Sequence, residues 1–309
     1  MTDIILSIVI VTYKRHIPLC NTLHAIGPFI RNKIIELLVI DQCPVEELPN
    51  TFINIPNLRY VVLDKPGMVR ARNIGLELAK GDIVLFLDDD IVPSSDLIDA
   101  HMHAYGDLSI GGVAGRILDS EPVMLDAMAD SRMFDLVNGW EHPKFDNTVA
   151  GDVMTSRGCN MSFRRKLLKQ LDGFDSNIEI FRDDTDMCFR VIAAGYRIRF
   201  IPEAVVIHLN ASSGGTRAPE ISFNGYWNRE WRSYKQNYRH YRDNLYFLVR
   251  HFRGIRLVQY IFKAYRDYVG LSRWPWRLLA KNIAFFLALI VAIRLNCKRK
   301  IFSANDNIN

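Results

Sequence analysis

The chain has 309 residues, of which 49% are hydrophobic and 24% charged, with a formal net charge of +5. That length holds one large α/β domain plus an appendage, and the apolar share excludes a globally disordered chain. The charge is unevenly placed: residues 1–224 carry 22 basic and 30 acidic side chains, a net of −8, while residues 225–309 carry 17 and 4, a net of +13.

In chain order, Leu6 to Val11 is a short apolar, β-branched run that reads as a buried parallel strand. It ends in Thr12-Tyr13-Lys14-Arg15, and Pro18 then opens a helical pattern to about Phe29. Ile34 to Ile40 is a second strand, ending in Asp41. Leu58 to Leu63 is a third, ending in Asp64-Lys65-Pro66-Gly67. Residues 68–79 are helical, and Lys80-Gly81 stops them. Ile83 to Leu87 then runs without interruption into Asp88-Asp89-Asp90. Alternating strands and helices predict an α/β fold with a parallel sheet and right-handed crossovers. In such a sheet the polar strand ends share one edge, where open α/β sheets bind ligands.

Three adjacent carboxylates repel one another unless a cation sits among them. Mg²⁺ or Mn²⁺ holding a phosphate fits that chemistry, and an Asp-rich helix cap ahead of Ser94-Ser95-Asp96 is the plainer reading. No G-x-G-x-x-G follows the first strand and no P-loop is present, so a nucleotide would be held by strand-end side chains and a metal. Arg72 and Asn73, at the start of a helix, read as phosphate contacts or as an exposed basic turn.

Farther along, Gly111 to Leu118 reads as a strand, and residues 124–155 as a loop or inserted helix covering the site. An extended segment begins at Arg157-Gly158-Cys159. A helix begins near Asp183-Asp184-Thr185-Asp186, with Met187, Val191 and Ala194 at helical spacing toward a core. First-turn carboxylates suit the helix dipole, although capping does not require three of them. Arg197 to Ile201 and Ala204 to Ile207 are extended, and His208 ends the latter as a structural residue or a metal ligand. Ser212 to Arg217 reads as a linker or as a loop closing on phosphate. The five cysteines are scattered without zinc-ligand spacing and are expected as free thiols in a reducing compartment. The N-terminus lacks the basic region of a signal peptide.

Taken together and in order, SIVIVTYKR, the Asp41 strand end, GMVRARNIGLELAKGDIVLFLDDDIVP, RGCNMSFRR and DDTDMCFRVIAAGYRI resemble glycosyltransferase family 2 over roughly residues 4–210. The resemblance implies an inverting, hexosyltransferase-type enzyme that uses a nucleotide-sugar donor and Mn²⁺ or Mg²⁺. It implies the GT-A fold, a Rossmann-like, mostly parallel sheet flanked by helices. Carried over, Thr12, Tyr13 and Asp41 hold the base and ribose, and Arg72 and Asn73 lie near the diphosphate. Asp88 and Asp90 form the D-x-D metal pair with Asp89 beside the donor, and His208 is an auxiliary ligand. Asp184 matches the general base, although Asp183 stands where the family has Glu. Such a base removes the acceptor hydroxyl proton as the oxygen attacks the anomeric carbon.

Residues 1–224 are therefore expected as the catalytic domain and 225–309 as a helical membrane-associating region. Aromatic and cationic residues interleave from Trp227 to Tyr246, a pattern that suits single-stranded nucleic acid or a membrane interface. The apolar run Ile283 to Ile293, flanked by Trp274, Trp276, Arg294 and Lys298-Arg299-Lys300, favours the membrane. No nucleic-acid partner is expected. Eleven apolar residues fall short of the ~20 a span requires, so the segment reads as an interfacial or re-entrant helix on an anionic leaflet. The expected location is the cytoplasmic membrane face, peripheral or monotopic, with a glycan or lipid-linked glycan as acceptor. A metal-dependent nucleotidyltransferase and a non-catalytic nucleotide-binding scaffold remain as other readings.

Overall fold

Strand pairing organises the first part of the chain. The computed structural model describes residues 5–31, 34–44, 55–120, 145–211, 214–215, 234–269 and 275–305. The expectations for residues 124–144, for Ser212, Ser213, Thr216 and Arg217, for Trp227 to Trp231 and for Trp274 lie outside them.

Strands β1 (Leu6–Thr12), β2 (Ile35–Asp41), β3 (Leu58–Val62) and β4 (Ile83–Asp88) are parallel in the order β3-β2-β1-β4. Helices α1 (His16–Ile26) and α2 (Met68–Leu78) are crossovers between them. Burial explains the uninterrupted apolar runs: Leu6, Ile8, Val9, Ile10, Leu37, Leu38, Val39, Ile40, Val84 and Leu85 are all fully enclosed. Each such side chain contributes about 1.5–3 kcal/mol relative to exposure. At Gly75 in α2 a Cβ would meet Val9 Cγ1 at 2.4 Å, so the helix lies on β1 only because no side chain is there.

The other half of the sheet is mixed. Short β5 (Ile91–Pro93) is followed by helix α3 (Leu97–Ala104) and then by β6 (Ile110–Asp119). Next come β7 (Gly151–Val153), β8 (Asn160–Arg164), helices α4 (Arg165–Gln170) and α5 (Asp183–Ala193), and β9 (Arg197–His208). The antiparallel strand β8 lies between β4 and β6, and β9 runs parallel to β6 and antiparallel to β5 and β7. The two extended runs expected at 197–201 and 204–207 form one strand, with an irregularity in its pairing between Gly115 and Arg116.

The chain divides into two compact units, one of residues 1–175 and 184–218, the other of 176–183 and 219–309. In the second unit, helices α6 (Tyr234–His251), α7 (Gly254–Val269) and α8 (Pro275–Asn305) pack around Tyr241, Leu245, Phe285, Ala288 and Ala292. Segment 176–183 is tied to α6 by one buried carboxylate. Asp243 accepts the backbone N–H groups of Glu179, Ile180 and Phe181 at 3.2, 2.9 and 3.1 Å. Burial pushes the Asp243 carboxyl up against the pull of Arg242. Helix α8 extends well past the eleven-residue apolar run. Its Leu278–Cys297 stretch, 20 residues, is long and apolar enough to cross a membrane. Ile283, Phe286, Leu287, Ile290 and Ile293 form an exposed stripe on it, opposite buried Ala284, Phe285, Ala288 and Ala292.

Candidate active site

Register brings the polar strand ends together. Thr12 pairs with Asp41 across β1 and β2, and Val11 with Asp88 across β1 and β4. Leu87 pairs with Asn160 across β4 and β8, which sets Cys159 beside Asp88. Asp119 pairs with His208 across β6 and β9, and His208 also pairs with Ile91, the residue after Asp90. Strands β1, β2, β4, β6, β8 and β9 thus bring their polar ends to one edge of the sheet.

Within it, His208 Nε2 lies 3.2 Å from Asp90 Oδ1 and 3.8 Å from Asp88 Oδ2, and its Nδ1 lies 3.2 Å from Asp119 Oδ1. Burial opposes charge on His208, but Asp119, Asp90 and Asp88 raise its pKa to about 9. Burial likewise opposes charge on Asp90, yet His208, Arg15 and the Ala211 amide hold it at about 2. Asp119 is also brought to about 2, against burial, by His208, Arg157 and Asn210. The thiol of Cys159, the carboxylate of Asp88 and the imidazole of His208 each offer an atom within 4.8 Å of the others.

Asp89 points another way. Its oxygens accept from Thr12 Oγ1 at 2.6 Å and from Arg15 Nη1 at 2.9 Å. Burial pushes its carboxyl up to about 7, against the pull of Arg15. The same Arg15 nitrogen reaches Asp90 Oδ2 at 3.1 Å, and the Ala211 amide donates to that oxygen at 2.9 Å. Arg15 therefore ties the end of β1 to the acidic loop and to the chain leaving β9. Gly214 and Gly215 close over the same turn. The Gly215 amide donates to Tyr13 O, and a Cβ on Gly214 (φ +68) would meet Lys14 O at 2.5 Å. At the β2 end, Asp41 accepts from Cys43 N at 2.9 Å and from the Tyr60 hydroxyl. Gln42 binds Thr12 O and the Gly67 amide.

The second acidic group arrives through Arg157-Gly158-Cys159. Arg157 donates to Asp119 at 3.2 Å, and the Gly158 amide donates to Asp184 Oδ2 at 3.1 Å. The other Asp184 oxygen accepts from the amide of Thr185 at 2.6 Å and from its hydroxyl at 3.2 Å. Asp183 is buried, whereas Asp184 is half-buried. The buried Arg72 lies 3.9 Å from Asp88, and a Cβ on Gly158 would come within 2.1 Å of its Nη2. Asn73 is engaged elsewhere, giving and accepting a 2.8 Å hydrogen bond with the backbone of Phe174.

Beneath this segment runs a buried polar chain. Asn160 Nδ2 donates to the carbonyls of Arg116 and Ala204, so its Oδ1 must accept from His101 Nε2, at 2.8 Å. His101 Nδ1 then accepts from Ser162, and Ser162 accepts from Tyr105, each at 2.8 Å. Burial lowers the His101 pKa to about 4, so the ring is neutral.

The donors fit a hard or borderline divalent cation. Asp90 Oδ1 is buried and without a hydrogen bond, although it faces His208 Nε2. Asp119 orients the His208 ring through Nδ1, the carboxylate–imidazole arrangement usual behind a metal-bound histidine.

An open sheet with acidic ends on β4 and at the start of α5 has the GT-A architecture. The family described as "Glycosyl transferase family group 2" matches residues 83–302, and the chain belongs to that family. It is 28% identical over 183 residues to the pre-mycofactocin glycosyltransferase of Mycobacterium tuberculosis, a match spanning 56% of this chain and 37% of that protein. Among solved structures, S. aureus TarS 1–349 in complex with UDP-GlcNAc aligns with a TM-score of 0.62 at 14% identity, covering 92% of this chain and 81% of that one. The mannosyltransferase PcManGT of Pyrobaculum calidifontis, in complex with GDP-Man and Mn²⁺, aligns with a TM-score of 0.53 at 18% identity, covering 97% and 80%. At these identities the structural likeness speaks for the fold.

Proposed function

We propose that the protein transfers a hexosyl group, with inversion, from a nucleoside-diphosphate sugar to a hydroxyl of a glycan or lipid-linked glycan. The observation that carries this reading is one short segment, Arg157-Gly158-Cys159, in contact with both acidic groups. Arg157 reaches Asp119 behind His208, Gly158 binds Asp184, and Cys159 adjoins Asp88. The residues that would hold the metal and the one that would act as base thereby share one support, which fits the fixed alignment that displacement requires.

In this reading Asp88, Asp90 and His208 hold Mn²⁺ or Mg²⁺, which would stabilise charge on the departing diphosphate. Arg72 adds a cation beside Asp88. Thr12, Tyr13 and Asp41 take the nucleoside, Asp89 lies beside the donor bonded to the Thr12 hydroxyl, and Asn73 near the diphosphate also holds the Phe174 backbone. Asp184, half-buried and acceptor-rich, takes the acceptor proton, with Asp183 closing the first turn of α5. The donors carried by TarS and PcManGT support a nucleotide-sugar substrate by analogy. The exposed apolar stripe of α8 and the basic content of residues 225–300 support attachment to an anionic membrane surface at its cytoplasmic face.

The test is Asp184→Asn in a donor-consumption assay across UDP-, GDP- and dTDP-sugars with membrane extract as acceptor source. Loss of a general base lowers turnover by roughly 10²–10⁴-fold with donor binding retained. Wild-type turnover in the variant refutes the assignment and favours a nucleotidyltransferase, which does not need Asp184.

A further inference from the structure

The cluster contains one soft donor. Cys159 precedes β8 and is set beside Asp88 by the Leu87–Asn160 pairing. It is buried, and its thiol has no hydrogen bond among the described residues, unlike Cys188, whose Sγ lies 3.2 Å from the Ser156 hydroxyl. Its position is rigid, because Asn160 next to it is clamped by three hydrogen bonds.

We propose that Cys159 is a ligand of the divalent-cation site, making it a mixed sulfur, nitrogen and oxygen site that takes thiophilic cations such as Zn²⁺ or Co²⁺. Resting on the metal reading above, the proposal adds which ions compete there. Cys159 Sγ, Asp88 and His208 lie within 4.8 Å of one another. Ligand atoms around a tetrahedral zinc stand about 3.4–3.6 Å apart, so side-chain rotation need close no more than about 1.5 Å. The fourth donor is Asp90 Oδ1, which is buried, misses hydrogen-bond geometry with every described group and meets only His208 Nε2, at 3.2 Å. As the metal binds, two protons leave to water, one from the Cys159 thiol and one from His208 Nε2, whose ring is held protonated by the surrounding carboxylates in the empty site. A thiolate strengthens binding of borderline and soft cations much more than that of Mg²⁺ or Mn²⁺, whose preferred donors are oxygens. Zinc would then compete with the hard cation for the site.

The test uses the full chain, stripped of metal and titrated with Co²⁺, with near-ultraviolet sulfur-to-cobalt charge-transfer absorption as the readout. The band is expected in the wild type and lost in both Cys159→Ser and His208→Gln, which would share the ion. Zn²⁺ affinity in Cys159→Ser should fall roughly tenfold or more, and Mn²⁺ affinity by electron paramagnetic resonance should change less than about threefold. If the serine variant does not fold, Cys159→Ala replaces it. A band that survives in Cys159→Ser belongs to another thiol and overturns the proposal, as does one that survives in His208→Gln. Wild-type Mn²⁺ binding without a cobalt–sulfur band overturns the thiol ligand alone. Absence of Mn²⁺ binding in folded wild type overturns the metal reading and the proposal with it.

Discussion

At His101 acidification destabilises the support beneath the site, against the opposite trend of Asp89 and His208, whose pKa values are raised in the fold. The ring is fully buried and neutral, donating to Asn160 and accepting from Ser162, so the folded state resists protonation. Its pKa is about 4 in the fold against 6.5 for a free histidine. A base whose folded pKa is depressed leaves the unfolded chain holding more protons, so stability falls as pH drops. The loss starts near pH 6.5, is about 2 kcal/mol at pH 5 and levels below pH 4 near about 3 kcal/mol. Facing groups do not offset it: Tyr105 is held protonated by burial, and Ser162 and Asn160 carry no charge. Urea unfolding followed by tryptophan fluorescence at pH 7.5 and pH 5.0, compared between wild type and a variant without the ring, isolates the loss. The control is His101→Gln, which removes the titration and, by leaving Ser162 or Asn160 short of a partner, costs about 1–3 kcal/mol at pH 7.5. The wild type should lose about 2 kcal/mol more than the variant between the two pH values. Equal losses would refute the argument.

Three further outcomes follow from single contacts. Gly158→Ala drives a methyl into Arg72 Nη2, so turnover should fall about 10–100-fold while stability drops only about 1–3 kcal/mol, measured by kinetics and urea melts on the same preparation. Asp243→Ala removes the acceptor for three amides of the segment leading into Asp183, and should cost about 2–4 kcal/mol and reduce turnover, with Asp243→Asn intermediate in both. Flotation with vesicles containing anionic lipid should carry the intact protein upward and weaken as salt rises; Ile283→Ser with Phe286→Ser should halve it or more, and equal recovery with the variant would count against the α8 stripe as the lipid contact.

Much of the site was legible because a parallel sheet converts strand ends into neighbours. Thr12, Asp41 and Asp88 follow apolar runs in the sequence, and register alone aligns them. The three aspartates were harder to separate. Consecutive residues point in different directions, so Asp88 and Asp90 reach His208 while Asp89 turns to Thr12 and Arg15. The sequence alone does not bring Cys159, Arg157 and Asp119 to the cluster, because their placement depends on β8 inserting antiparallel between β4 and β6, a pairing that local periodicity does not encode. A Cys-Asn pair opening an apolar strand was the one available signal. Asp243 was invisible for a similar reason, lying more than 60 residues from the amides it binds. Lys281 and Asn282 interrupt the apolar run without breaking α8, since Asn282 bonds Leu278 O and the Tyr265 hydroxyl, so the eleven-residue run does not show how far the helix extends.

In the proposed enzyme one segment joins a metal–donor site to a separate base. The most direct test of that arrangement is thermal shift with UDP-, GDP- and dTDP-sugars, with and without Mn²⁺, on wild type, Asp90→Asn and Asp184→Asn, paired with turnover. A ligand that binds the native state at a hundredfold excess over its Kd stabilises it by about 2.7 kcal/mol, enough to read clearly. A metal-dependent shift with one nucleotide class is expected, lost in Asp90→Asn but kept in the catalytically impaired Asp184→Asn. No shift with any donor in folded wild-type protein, or loss of the shift in Asp184→Asn alone, would contradict it.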